Sequence, residues 1–220
     1  MEIQGKKVIF LGDSITEGVG VSDPQNKYTE VFAKATGAIV CNYGVSGTRI
    51  AKQKSVFFKE YPAGERDFLL RTDEDIKEDS ADLIVVFGGT NDFGHGDAPM
   101  GAIEDRDPYT FYGAMHLLIN KLAEKLPEAR IVFMTPLHRD NEDAPYNSHG
   151  VRVQPLKDYV NAMREVCEFY SIPVLDLYRD SGLQPAIEIY KKLYMPDGLH
   201  PSDKGALRIA SMLAEFVKTL

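Results

Sequence analysis

Uninterrupted runs of apolar residues recur along the chain and are separated by stretches with a different spacing. Leu83-Ile84-Val85-Val86-Phe87 and Ile131-Val132-Phe133-Met134 are the clearest runs. Apolar runs without polar alternation are typical of strands covered on both faces, as in parallel sheets. The pattern predicts five buried parallel strands, over residues 7–12, 38–43, 82–87, 129–135 and 172–176.

Between these strands, apolar residues recur every three or four positions, which is the spacing of an amphipathic helix. This spacing predicts helices over residues 25–36, 108–125, 155–170 and 202–219. In the second helix, Asp107 is the expected N-cap and Pro108 the expected first residue. In the last helix, Ser202 is the expected N-cap, and the residues expected to face the core are Leu207, Ala210, Leu213 and Val217.

Strands that alternate with helices indicate an α/β protein with a doubly wound parallel sheet. The chain has no internal repeat, low-complexity stretch or linker, so residues 1–220 are expected to form one domain. Segments 44–75, 88–106 and 136–154 lack regular spacing and are expected to be irregular. Each follows a strand, and the site is therefore expected at the carboxyl edge of the sheet, where this architecture binds ligands.

Four short motifs carry the candidate chemistry, and three of them follow predicted strands while the fourth opens the last helix. They are Gly12-Asp13-Ser14, Asn42-Tyr43-Gly44-Val45-Ser46-Gly47, Gly88-Gly89-Thr90-Asn91-Asp92 and Asp197-Gly198-Leu199-His200. Each string is short enough to occur by chance, so their order and placement matter more than any one of them. The combination resembles that of the SGNH hydrolases, the GDSL esterase/lipase family, from Val8 to about Lys204.

The resemblance implies a three-layer α/β/α fold with a flavodoxin-like, five-stranded parallel sheet in the order 2-1-3-4-5. It implies that Ser14 is the nucleophile and that Asp197 and His200 complete a catalytic triad. It also implies an oxyanion hole formed by the N–H groups of Ser14 and Gly47 and the side-chain amide of Asn91. Every one of these positions is filled in this sequence.

The chemistry explains why these residue types are needed. A serine hydroxyl is a poor nucleophile until a base removes its proton, and His200 is the expected base. Asp197, three residues earlier, can reach the other imidazole nitrogen, fix the tautomer and stabilise the imidazolium. The expected function is hydrolysis of an oxygen ester through an acyl-serine intermediate, without a metal or cofactor.

Other residues in the motifs invite competing interpretations. Gly44 competes with Gly47 for the oxyanion role, which the family pattern places on the second glycine. Asp13 and Asp92 are expected to brace loops through hydrogen bonds rather than to react. Gly88-Gly89 is expected to form a tight exit from the strand.

Composition limits the partners and the compartment. Lys+Arg 25 against Asp+Glu 33 gives a net charge of −8, which disfavours nucleic acid and anionic membranes as partners. The N-terminal apolar run Val8-Ile9-Phe10-Leu11 is too short for a signal-peptide core or a membrane span. A cytoplasmic protein is expected, although a processed secreted protein would look the same, and homo-oligomerisation stays open.

The two cysteines, Cys41 and Cys167, lie in a predicted strand and on the apolar side of a predicted helix. Both are expected to be small buried hydrophobes, and a disulfide between them has no positive support. Two cysteines without a Cys-x-x-Cys motif also disfavour a zinc or redox site.

The substrate is less constrained than the reaction. The polar 136–154 segment lacks the amphipathic apolar face of a lipase lid, which favours a small acyl group on a polar, sugar-like alcohol. Three roles are open for the apolar segment 56–70: it covers the core, lines an acyl pocket or makes a dimer contact. Covering the core is the favoured interpretation. His116 is expected to pack within its helix, whereas the loop histidines either contact substrate or are solvated: His95, His138 and His149.

Related activities and one different class remain as alternatives. The related activities are lysophospholipase, lipase and thioesterase. The different class is a non-catalytic flavodoxin-like binding module. A receiver domain requires an aspartate that ends the third strand, where this chain has Phe87-Gly88. A flavin-binding module requires a Ser/Thr-rich phosphate loop, but the segment after the first strand contains Asp13 and Glu17, which would repel a phosphate.

Overall fold

A computed structural model describes residues 1–220 and contains one five-stranded, fully parallel sheet. The strands are β1 (Lys7–Gly12), β2 (Ile39–Gly44), β3 (Leu83–Phe87), β4 (Arg130–Met134) and β5 (Val174–Leu175). Their order is β2-β1-β3-β4-β5, so the predicted fold class and strand order are confirmed. Gly12 lies opposite both Gly44 and Phe87, and the segments that carry the first three motifs therefore leave the sheet at the same edge.

Helices cover both faces of the sheet. They are α1 (Ser14–Glu17), α2 (Tyr28–Thr36), α3 (Phe68–Glu74), α4 (Thr90–His95), α5 (Phe111–Lys125), α6 (Leu156–Phe169), α7 (Leu177–Asp180), α8 (Glu188–Tyr194) and α9 (Asp203–Lys218). Side chains of α3, α5 and α6 pack on one face in a cluster that includes Phe68, Met115 and Met163. Side chains of α2 and α9 pack on the other face, where Phe32 and Leu213 are fully buried.

Two strand predictions need correction. The strand predicted over 172–176 is reduced to the two residues of β5, since Asp176 already serves as the N-cap of α7. The strand predicted over 38–43 is found as β2 but is only half-buried, because it lies at the edge of the sheet. Cys41 on β2 is therefore half-buried rather than buried, while Cys167 is buried as predicted and both thiols are free.

The helix predictions fail mainly at their beginnings. Helix α5 starts at Phe111 with Thr110 as its N-cap, and Asp107 instead accepts a bond from the N–H of Tyr109 in the preceding turn. The helix predicted over 25–36 divides into a short 3-10 turn, Pro24–Asn26, and α2.

Helix α9 is capped by Ser202 as predicted, but one of its residues was assigned to the wrong face. Leu207 is 54% exposed, and the neighbouring Ala206 faces the core instead. The other three predicted inward residues of this helix are buried.

Two of the segments expected to be irregular contain short helices. Segment 44–75 includes α3, and segment 88–106 includes α4, which begins directly after Gly89 at a positive φ of 100°. No helix in the structure combines the length and the apolar character needed to cross a membrane.

Candidate active site

Ser14 is the first residue of α1 and follows β1 after a single intervening residue. That residue, Asp13, is the N-cap of α1, and its carboxylate accepts a bond of 3.0 Å from the N–H of Ile15. Because the helix starts here, the backbone N–H of Ser14 lies at the positive end of α1 and has no partner within the helix.

The structure brings Ser14, His200 and Asp197 into one hydrogen-bonded chain. The Oγ of Ser14 lies 3.0 Å from Nε2 of His200, and Nδ1 of the same imidazole lies 2.6 Å from Oδ2 of Asp197. A carboxylate only accepts hydrogen bonds, so Nδ1 of His200 donates and Nε2 is left as the acceptor for the Ser14 hydroxyl. This tautomer is the one that a general base requires.

A tight turn places the Asp197 carboxylate next to the imidazole of His200. Its Oδ1 accepts bonds from the N–H groups of Leu199, at 2.9 Å, and His200, at 2.7 Å, and Gly198 between them has a positive φ of 78°. Burial disfavours the charged form, but the bonds from His200 and the two N–H groups outweigh it and lower the pKa of Asp197. The Asp197 carboxylate is therefore ionised at neutral pH.

Gly47 lies in the loop that follows β2 and has a positive φ of 79°, which favours glycine. The competing residue, Gly44, ends β2 against α1, and a Cβ built on it would lie 2.0 Å from the backbone nitrogen of Glu17. Close packing of β2 on α1 therefore explains the need for glycine at position 44.

Asn91 on α4 is buried, and its side-chain amide donates a bond of 3.0 Å to the carbonyl of Thr48, next to Gly47. An amide carries two hydrogens, so a second donor remains available. The adjacent Asp92 accepts bonds from the N–H groups of Ile50 and Ala51, at 3.0 and 2.8 Å. Helix α4 therefore also holds the loop that follows β2 at residues beyond Gly47 and Thr48.

Glu17 is a bracing residue that the sequence analysis missed. Its Oε2 accepts bonds from the backbone N–H of Ser46, at 2.6 Å, and from the hydroxyl of the same residue. The last residue of α1 is thereby tied to the residue that precedes Gly47. Its position three residues after Ser14 is the only sequence signal that could have suggested this role.

Arg71 on α3 is a second missed residue, and it is fully buried. Its Nη1 donates to the carbonyl of Gly12 at 2.7 Å and to Oγ1 of Thr48 at 3.0 Å, and its Nη2 donates to the carbonyl of Tyr43. One guanidinium thus joins the ends of β1 and β2 to the Gly47 loop. Nothing in the local sequence signals this contact, because the segment was expected to be irregular.

The two motif aspartates expected to be structural are buried and make only backbone hydrogen bonds within the loops. Burial raises the pKa of Asp13 to about 7, against the lowering effects of the Ile15 N–H and of Arg71. Burial likewise raises the pKa of Asp92 to about 6, against the backbone bonds that it accepts. Both carboxyl groups retain their protons to a higher pH than an ordinary aspartate.

Two of the remaining histidines are hydrogen-bonded to groups other than Ser14. His116 is buried in α5 and its Nε2 lies 2.8 Å from the carbonyl of Ile103, as expected for a packing residue. Nδ1 of His138 lies 2.9 Å from the carboxylate of Glu142 within the same loop.

The other two histidines form a cluster with Phe57 and Phe58. His149 is stacked on Phe57 at a centroid distance of 4.3 Å, and His95 meets Phe58 edge to face at 4.9 Å. The 56–70 segment is therefore divided: Phe68 is buried in the core, these two phenylalanines contact the histidine rings, and Val56 is 63% exposed.

A polar cavity of about 330 Å³ opens between α4 and the 136–154 loop. The loop reaches the Asp197–His200 turn, because the N–H of Asp140 donates a bond of 2.8 Å to the carbonyl of Gly198. Nη1 of Arg139 donates to Thr90, whereas its Nε is buried without a partner. The cavity is lined by Phe93, Gly94, Arg139, Asp140, Asn141, Ala144, Tyr146, Asn147 and Ser148. No group of three or more His, Cys, Asp or Glu side chains is placed to hold a metal ion.

Comparison with known proteins identifies the class. A model of the GDSL-like Lipase/Acylhydrolase family matches residues 10–208, and the chain therefore belongs to this family, whose members hydrolyse ester bonds. No curated protein shows significant sequence similarity to the chain.

Solved structures share the fold over nearly the whole chain. One crystal structure is 34% identical to this chain, with a TM-score of 0.85. The match covers 100% of this chain and 99% of the chain in that structure. A protein from Lactobacillus plantarum shares 30% identity over 99% of this chain and 98% of its own, with a TM-score of 0.80. A lipase/acylhydrolase from Enterococcus faecalis, at 24% identity and a TM-score of 0.64 over 97% and 96% of the two chains, shares the fold.

Proposed function

We propose that the chain is a serine esterase that cleaves carboxylic esters through an acyl-serine intermediate, with a short acyl group and a polar, carbohydrate-like alcohol. The observation that carries this proposal is the hydrogen-bonded chain from Ser14 through His200 to Asp197, at 3.0 and 2.6 Å. Its tautomer leaves Nε2 of His200 ready to accept the hydroxyl proton.

In the first half-reaction, Oγ of Ser14 attacks the ester carbonyl carbon while Nε2 of His200 takes its proton. The ionised Asp197 stabilises the imidazolium that results. The tetrahedral intermediate then collapses, the carbon–oxygen bond to the alcohol breaks, and His200 returns the proton to the departing oxygen. The acyl group remains on Ser14.

In the second half-reaction, a water molecule replaces the alcohol. His200 removes a proton from this water, the resulting oxygen attacks the acyl carbon, and the proton passes to Oγ of Ser14 as the acid leaves. No change of oxidation state occurs, and the proton moves only among Ser14, His200, the alcohol and water.

The negative oxygen of each intermediate requires donors that are already aimed at it. The N–H groups of Ser14 and Gly47 and the second amide hydrogen of Asn91 are the donors in this proposal. Loss of one such donor typically costs about 3–4 kcal/mol of transition-state stabilisation. The bracing by Glu17, Arg71 and Asp92 supports this assignment, because it holds the Gly47 loop before substrate arrives.

The polar cavity supports the choice of alcohol. It adjoins the Asp197–His200 turn through Asp140, and the departing alcohol must lie near His200 to receive its proton. Its lining includes the polar side chains of Asp140 and Asn141 and the exposed ring of Tyr146, and this combination of hydrogen-bonding groups with an apolar face suits a sugar.

A substrate panel tests the proposal. We expect p-nitrophenyl acetate and butyrate to be hydrolysed faster than the palmitate, and acetylated sugars to be deacetylated. A rate that rises with chain length, or activation at a lipid interface, would indicate a lipase or lysophospholipase, and a preference for acyl thioesters would indicate a thioesterase. The absence of turnover on every ester would favour a non-catalytic binding module.

A further inference from the structure

Four rings form a wall beside the Gly47 loop, and we call Phe57, Phe58, His95 and His149 the aromatic wall. Phe58 is its member nearest to Gly47. A Cβ built on that glycine would lie 3.2 Å from Cε2 of Phe58, so the ring stands directly beside the space that a side chain at position 47 would occupy.

The position of the wall identifies the part of the substrate that it faces. In the proposed intermediate, the carbonyl oxygen points at the N–H of Gly47 and the alcohol oxygen lies near Nε2 of His200. Phe58 lies beside Gly47, and its ring meets His95 at the end of α4, whereas no ring of the wall pairs with the imidazole of His200. The acyl chain is the substituent that remains, so the wall lies on the acyl side.

Phe58 is held from several directions. Its ring meets His95 edge to face, and the guanidinium of the buried Arg49 lies 5.5 Å from its centroid. Nη2 of Arg49 is paired with Glu65 at 3.0 Å, and Glu65 also accepts the backbone N–H of Phe58. A ring fixed in this way does not move aside easily for a longer chain.

The other two rings are anchored through different elements. The imidazole of His149 stacks on Phe57, and the neighbouring Ser148 donates to the carbonyl of Gly94 on α4 from both its N–H, at 3.1 Å, and its hydroxyl, at 3.0 Å. The tip of the 136–154 loop is thereby fastened to the helix that carries Asn91. The wall is consequently continuous across two loops and one helix.

His95 presents an uncharged ring to this side of the site. Arg49 can only donate, so its Nη1, 3.2 Å from Nδ1 of His95, fixes that nitrogen as an acceptor and leaves the proton on Nε2. Burial and then the charge of Arg49 lower the pKa of His95 to about 3. A hydrocarbon chain therefore meets no imidazolium at this ring at neutral pH.

We infer that Phe58 sets the upper limit of acyl-chain length and that the aromatic wall is an acyl subsite for groups of the size of acetyl to butyryl. This inference rests on the proposed esterase function and adds the residue that determines its specificity.

The test compares kcat/KM for p-nitrophenyl acetate, butyrate, hexanoate and octanoate in the parent protein, Phe58→Ala, Phe58→Leu and Val56→Ala. The alanine variant is expected to raise the hexanoate-to-acetate ratio by about tenfold or more, since a single methylene in an apolar pocket changes discrimination by about that amount. Phe58→Leu is expected to give a smaller increase and serves if the alanine variant folds poorly. Val56→Ala, in the same segment but exposed, should leave the ratio unchanged.

The outcomes separate the two proposals. A parent protein that hydrolyses esters, with the same chain-length ratio in both Phe58 variants, would overturn the role of Phe58 and leave the esterase function intact. An equal rise in the ratio in Val56→Ala would also overturn it, because the effect would then belong to the segment and not to the ring. A parent protein without ester hydrolysis would refute the esterase function, and the acyl subsite with it.

Discussion

The two sides of the candidate site are built in opposite ways. On the oxyanion side, the segments that carry Gly47 and Asn91 are held by groups from distant parts of the chain, among them the buried Arg71 on α3 and Glu17 on α1. On the acid–base side, Asp197 and His200 are three residues apart in one turn, and the Asp197 side chain is 55% exposed. The comparison teaches that the positions of the oxyanion donors depend on contacts between distant segments of the fold. The acid–base pair, in contrast, is positioned by one short, partly exposed turn.

The largest effect is expected from His200→Ala, which removes the base. We expect kcat/KM to fall by roughly 10⁴-fold or more, because the triad acts as a unit. The melting temperature should remain near that of the parent, since the imidazole bonds only Ser14 and Asp197. His138→Ala is the control, and a comparable loss of rate in that variant would move the base to the 136–154 loop.

The next largest effect is expected from Arg71→Leu, which removes the guanidinium that joins β1, β2 and the Gly47 loop. It leaves buried carbonyl groups without donors, so we expect the free energy of unfolding to fall by about 3–5 kcal/mol, together with a lower kcat. Denaturant unfolding, monitored by circular dichroism, measures the free energy of unfolding. Arg179→Leu, at a side chain that is 70% exposed, should cost little, and equal losses in both variants would refute the special role of Arg71.

Asn91→Ala sharpens the comparison by separating catalysis from binding. Removal of one oxyanion donor is expected to reduce kcat by about 10²–10³-fold with little change in KM. The lost bond to Thr48 should lower stability by only about 1 kcal/mol. A rise in KM at unchanged kcat would show instead that Asn91 binds the ground state of the substrate.

The last pair of predictions concerns the pH dependence of stability alone, at two carboxyl groups, Asp13 and Asp197, whose pKa values are shifted in opposite directions. The raised pKa of Asp13, about 7, means that its contribution to stability is present at acidic pH and is lost as the pH rises towards 7. The lowered pKa of Asp197 means that its contribution is present above the ordinary pKa of about 4 and is lost as the pH falls through the folded value.

Melting temperatures of Asp13→Asn and Asp197→Asn between pH 4 and pH 8 test this pair. Relative to the parent, Asp13→Asn should gain stability as the pH rises, since an amide oxygen can still accept the N–H of Ile15. Asp197→Asn should lose a small amount at neutral pH and approach the parent in acid. Parallel profiles for the two variants would contradict the assigned directions.

The same contrast explains how much of the molecule could be predicted from the sequence. The buried strands β1, β3 and β4 follow from their apolar runs, and the acid–base pair is visible because Asp197 and His200 are neighbours in one motif. Helices α3 and α4 span seven and six residues, too few for apolar spacing to distinguish them from loops. The role of Arg71 depends on contacts between distant segments, and the exposure of Leu207 depends on which of two adjacent residues meets the sheet.

The most direct test of the central claim is peptide mapping by mass spectrometry after treatment with a fluorophosphonate, which reacts with an activated serine. The account predicts one adduct, on Ser14, that disappears in Ser14→Ala together with at least a thousandfold loss of ester hydrolysis. Ser46, the nearby serine whose hydroxyl donates to Glu17, should remain unlabelled. An adduct on another serine, or ester hydrolysis that persists at the parent rate in Ser14→Ala, would contradict the account.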